Sequence, residues 1–167
     1  GAIVNNNNTL TAVFNSQPTE GNVIIAIAVH RNAYKSFNLP ANAAGVFTKS
    51  AYSDSSWYLD VGIWHKVIGA NEPSQVTITS DGNIKGGVLM IMEVSGLDIN
   101  NLIDVVSTND ETGSNGLTAS TGSTAQSASI GFGVAAAAFA DNNFVTPNSS
   151  NWTSTSNDIW IQRLWRL

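Results

Sequence analysis

The residues of this sequence best suited to chemistry are aromatic and neutral-polar rather than acid–base. In the segment 56–67 (SWYLDVGIWHKV), Tyr58 and Trp64 share one side of an alternating pattern with Asp60 and Lys66. An aromatic ring can stack on the apolar face of a pyranose while polar neighbours bond its hydroxyls. Trp152, in Asn151-Trp152-Thr153, offers a second ring of this kind from a polar stretch. Tyr58, Asp60, Trp64, Lys66 and Trp152 are therefore the expected ligand-binding set. The competing expectation is that the rings are core, since large aromatics are mostly buried.

Acid–base chemistry finds less support. Glu93 falls on the same side of its strand pattern as Leu89 and Ile91, where burial would raise its pKa. The alternative is a carboxylate hydrogen-bonded at a strand end, and no second acid is placed to form a hydrolytic pair with it. His30 and His65 lie near strand ends, and no Gly-x-Ser-x-Gly elbow accompanies them. Oxygen ligands for calcium occur in turns at Asp98, Asn100, Asn101 and Asp104. Others occur at Asn109, Asp110 and Glu111, and at Asp141, Asn142 and Asn143. None has EF-hand spacing, and Asx residues in turns usually bond their own backbone. No cofactor and no metal residue is assigned, with a structural calcium the one ion that ligand type allows.

Bulk composition narrows the function classes. The chain has 167 residues, of which 43% are hydrophobic and only 11% charged, with a formal net charge of −5. The seven Lys and Arg are scattered, so no phosphate-binding stripe exists and nucleic acid is not an expected partner. There is no cysteine, which removes disulfides and thiolate sites. No apolar run approaches the ~18 residues that span a bilayer, so membrane insertion is not expected. The polar exterior is built from Asn, Ser and Thr, which offer neutral hydrogen-bond groups suited to sugars, ordered water or close chain–chain packing.

The elements that would position these residues are strands. Short alternating runs recur between Gly, Asn, Ser, Asp and Pro clusters. The pattern predicts strands over 10–14, 22–30, 46–50, 56–67, 75–79, 87–94, 103–107, 125–139 and 159–167. Loops are expected over 31–45, 109–122 and 140–158, and a turn at Asp81-Gly82-Asn83. The run 22–30 (NVIIAIAVH) is almost wholly apolar, as expected where both faces are covered. In 56–67, the odd positions Trp57, Leu59, Val61, Ile63 and Val67 form the apolar face, and the even positions are expected on an open, mixed face. No long amphipathic helix is found. Strands at this spacing predict one all-β domain over 1–167, a two-layer antiparallel β-sandwich of jelly-roll type. The chain ends within a strand pattern carrying Trp160 and Trp165, so the final strand is expected to pack within this domain, to belong to a chain cut short, or to be covered by a neighbouring copy.

Four stretches resemble a family of jelly-roll domains of phage tail-fibre proteins and secreted bacterial surface or polysaccharide-active proteins. They are Gly21-Asn22-Val23-Ile24-Ile25-Ala26, VGIWHKVIG at 61–69, Glu72-Pro73-Ser74-Gln75-Val76-Thr77, and Met92-Glu93-Val94-Ser95-Gly96-Leu97-Asp98, the last closing at Asp104. They cover the first two thirds of the chain in order. The resemblance implies a non-catalytic module, extracellular or on a virion surface. It also implies two further strands beyond position 167, and so a domain incomplete at its C-terminus. The expected function is recognition of a cell-surface or extracellular polysaccharide. The alternatives are a self-assembling capsid, fibre or filament subunit whose partners are copies of itself, and a polysaccharide-active enzyme on the same scaffold.

Overall fold

The structure is a computed structural model that describes residues 2–4, 7–31, 37–54, 59–84, 86–104, 106, 108, 133–138, 152–154 and 161–166. Among these the chain is all-β, with no helix. The strands are β1 (Ala2–Val4), β2 (Asn7–Val13), β3 (Val23–Arg31), β4 (Ala41–Asn42), β5 (Gly45–Val46) and β6 (Thr48–Asp54). They continue with β7 (Leu59–Val67), β8 (Gln75–Ile84), β9 (Gly86–Val94), β10 (Gly133–Ala138), β11 (Trp152–Ser154) and β12 (Ile161–Arg166). A five-stranded sheet has the order β1-β9-β3-β7-β6, and a four-stranded sheet the order β2-β8-β4-β5. A further set, β10-β12-β11, is paired antiparallel, with Val134 opposite Trp165 and Trp152 opposite Arg166.

Strand β3 sits at the centre. It pairs with β7 on one side and β9 on the other, antiparallel along its whole length. Its side chains alternate between two separate apolar clusters. The even residues Ile24, Ala26 and Ala28 join Leu10, Ala12, Phe47, Trp64, Ile68, Val76, Ile78 and Leu89 in a core shared by the two large sheets. The odd residues Val23, Ile25, Ile27 and Val29 join Val88 and Met90 on the opposite face. Leu97 and Leu102 pack against that face from the segment after β9. A strand covered on both faces loses the polar half of its alternation, which accounts for the unbroken apolar run.

Strands consecutive in sequence fall in different sheets. β1 pairs with β9 in the larger sheet while β2 pairs with β8 in the smaller one. The ribbon turns this corner near Asn7 and Ile84, where the β2–β8 register shifts. This corrects the turn expected at Asp81-Gly82-Asn83: β8 runs on through it to Ile84. The loop expected over 31–45 also holds the β4–β5 hairpin, with Ala41 opposite Val46. Its Gly45 takes φ 128°, a region open chiefly to glycine. Of the strand expected over 103–107, the described residues Ile103, Asp104 and Val106 are not in a strand. Of the expected strands over 125–139 and 159–167, the described residues 133–138 and 161–166 form β10 and β12.

Candidate functional site

The largest correction concerns the even side of β7. The sequence places Asp60, Trp64 and Lys66 on an open face, and the structure turns that face into the shared core. Trp64 is 1% exposed and Asp60 3%. The reason is that this face packs against the four-stranded sheet, where Trp64 meets Leu10, Val76 and Ile78 in one cluster. Polar residues in an alternating strand usually mark the solvent side, but here they meet buried partners instead. Trp64 is therefore a core side chain and is not available for stacking on a sugar. Tyr58 lies outside the described residues. Trp152 stands in β11, paired through its backbone with Arg166 of β12.

Trp64 is accommodated by small neighbours. It lies opposite Ala26, and Gly62 lies opposite Ala28. A Cβ at Gly62 would fall 2.0 Å from the indole Cη2, so the ring folds back over a position that admits no side chain. Phe37 and Tyr52 pack against the same ring, Phe37 edge-on with centroids 5.9 Å apart. The indole Nε1 finds no hydrogen-bond acceptor among the described residues.

The polar residues of this face form two buried groups. In the first, the Tyr52 hydroxyl donates to Asp60 Oδ2 at 2.9 Å and accepts the Phe37 amide N–H at 3.2 Å. In the second, Lys66 Nζ donates to Glu72 Oε1 at 2.6 Å and to Asn42 Oδ1 at 3.1 Å. Asn42 Nδ2 donates to the same Glu72 Oε1. Lys66 and Glu72 side chains are 14% and 0% exposed. Burial pushes the Glu72 carboxyl up, but the hydrogen bonds from Lys66 and Asn42 and the Lys66 charge outweigh it, so its pKa is lowered. Asn71, with φ 57°, turns the chain so that Glu72 follows under the end of β7. Sequence reasoning missed Asn42 and Glu72. Their only local signals are an Asn before a glycine-containing turn and an acid before a proline.

Glu93 also differs from expectation. It lies opposite Ile24, at the rim of the shared core. Its carboxylate accepts hydrogen bonds from Asn22 Nδ2 and from the Thr19 amide at 3.0 Å. These bonds lower its pKa, whereas burial beside Leu89 and Ile91 would have raised it. His65 Nδ1 lies 2.7 Å from Ser50 Oγ, and burial lowers its pKa. Asp98 caps its own turn, with Oδ1 accepting the Asn100 amide at 3.0 Å. Among the described residues no group of three or more acids and histidines could hold a metal ion. The oxygen-ligand sets expected at 109–111 and 141–143 lie outside them.

What the four-stranded sheet presents outward is a threonine grid. Thr9 stands opposite Thr79 and Thr11 opposite Thr77. These positions alternate with the buried Leu10, Ile78 and Val76, so all four hydroxyls lie on the outer face. Thr11 and Thr77 Oγ1 are 3.1 Å apart, and Asn38 Nδ2 donates to Thr79 Oγ1 at 3.0 Å. Thr9 Oγ1 donates to Asn8 Oδ1 at 3.0 Å, and Gln75 Nε2 reaches Thr77 Oγ1 at 3.5 Å. The exposed Asp81 lies beyond one end of β8's share of the grid. The sequence gives the signal as two Thr-x-Thr pairs, at 9–11 and 77–79, but not that they are neighbours.

Comparison of the chain with family models, with curated proteins and with solved structures finds no match.

Proposed function

We propose that this chain is a non-catalytic recognition module, a jelly-roll-like sandwich that contacts a neutral polysaccharide outside the cell or on a virion. The observation that carries it is the threonine grid. Its Cβ positions repeat at roughly 7 Å along a strand and roughly 5 Å across the pair, on the scale of a sugar ring and its substituents. Each hydroxyl can donate or accept, and the neighbouring Asn8, Asn38 and Gln75 extend the same neutral chemistry. The inward carboxylates Asp60, Glu72 and Glu93 are all bonded to structural partners, which favours binding over hydrolysis.

Affinity electrophoresis in gels carrying neutral polysaccharides tests this directly. The native chain is expected to be retarded by at least one of them. The double substitution Thr11→Val and Thr77→Val keeps shape and strand propensity but removes two hydroxyls, and should weaken retardation about tenfold, the effect of about 1.4 kcal/mol. Unchanged retardation in the double variant removes the grid as the site. No retardation of the native chain in any gel removes polysaccharide as the ligand.

A further inference from the structure

We propose that Lys66 and Asn42 become joined by an amide bond between Nζ and Cγ, formed within the folded chain with Glu72 as the proton carrier. The three side chains come from separate elements: β4, β7 and the turn after β7. Lys66 Nζ lies 3.1 Å from Asn42 Oδ1. With a carbonyl bond of about 1.23 Å, Cγ is then within about 4.3 Å of the amine, a small rotation from attack distance. Glu72 Oε1 touches both nitrogens that must exchange protons, Lys66 Nζ and Asn42 Nδ2. The backbone N–H of Ala44 donates to Asn42 Oδ1 at 3.0 Å, which is where negative charge develops when the carbonyl is attacked.

The surroundings suit the reaction. Glu72 is buried, and Phe47, itself 1% exposed, lies with its ring centroid 6.0 Å from Lys66 Nζ. In such a setting the ionic pair loses much of its advantage over the neutral pair of amine and carboxylic acid. The Lys66 ammonium passes one proton to Glu72 Oε1. The freed amine attacks Asn42 Cγ, and a tetrahedral centre forms with its oxygen held by the Ala44 N–H. Glu72 delivers its proton to Nδ2, the Cγ–Nδ2 bond breaks, and ammonia leaves. The second proton shed by Nζ is taken by Glu72 and passes to the ammonia, which departs as ammonium. No oxidant and no other reactant is needed. The hydrogen bonds that keep Glu72 ionised make the neutral pair a minor species, so closure is slow, which a bond made once per molecule tolerates.

The product would tie the four-stranded sheet to the five-stranded one across their shared core. It is a covalent staple that a cysteine-free chain can make and that reductants leave intact.

Mass spectrometry of the full chain, folded and held at neutral pH before denaturation, is the test. The expected intact mass is lower than the sequence mass by one ammonia. A tryptic digest should then contain 36–49 joined to 50–85, with no cleavage after Lys66. Lys66→Arg and Glu72→Gln chains should keep the full mass. A folded native chain of full mass overturns the proposal. So does a loss of ammonia with 36–49 recovered free, since an Asn-Gly pair such as Asn115-Gly116 can lose ammonia by itself. A Glu72→Gln chain that still joins the two peptides overturns the role given to Glu72.

Discussion

At the scale of single residues, Gly62 and Trp64 behave as one unit. The indole occupies the volume that any side chain at 62 would need. Gly62→Ala should therefore destabilise the fold by about 1–3 kcal/mol, as overpacking does. Trp64→Leu alone should cost about 2–4 kcal/mol through the cavity it leaves. In the double variant the new methyl enters space the ring has vacated, so the two penalties should not add. Urea denaturation of the four chains measures this coupling, and simple additivity would show that the ring does not lie over Gly62. The Gly-x-Trp spacing is visible in the sequence, but its meaning is not. Period-two alternation puts 62 and 64 on one face without saying whether that face looks inward, and the flanking Asp60 and Lys66 point to the wrong answer. Only their partners Tyr52, Asn42 and Glu72, 8, 24 and 6 residues away in sequence, show why polar groups can sit inside.

At the scale of elements, the long strands were legible and the short ones were not. β3, β7 and β9 carry apolar or alternating patterns strong enough to locate within a residue or a few. The β4–β5 hairpin has two residues on each side, too few for a period to register, yet it supplies Asn42. Strand β8 continues through Asp-Gly-Asn at a break in its β2 register, which passes from Thr9 opposite Thr79 to Asn7 opposite Ile84 and leaves the Asp-Gly-Asn residues unmatched by β2. The turn entering β3 is fixed by side chains as well as backbone. Gly21 N–H bonds Ile68 O, and Glu93 receives both Asn22 and the Thr19 amide. Glu93→Ala should cost about 1 kcal/mol, because it leaves donors that water can partly satisfy. Amide hydrogen exchange should show faster exchange at Thr19 and little change along β7.

At the scale of the whole molecule, acid should weaken the fold. Burial holds the His65 pKa below its ordinary 6.5, so the unfolded chain takes up that proton first and stability declines as pH falls below 6.5. Glu93 and Glu72 have pKa values below the ordinary 4.5, so their contribution is present above that value and fades as pH drops through the lowered ones. Relief of self-repulsion in a chain of net charge −5 acts the other way, but weakly at ordinary salt. Urea midpoints measured from pH 7 to pH 3 should therefore fall in two stages, and His65→Gln should remove the upper one.

The doubly covered central sheet has one more consequence. Its two apolar clusters share no side chains, only the backbone of β3 and its neighbours. Leu97 and Leu102 shield part of the outer cluster, so a chain cut after Val94 would bare a flat greasy plane of Val23, Ile25 and Ile27 while its other core stayed whole. Such a fragment is expected to associate with its own kind through that plane, which light scattering of the shortened chain would register.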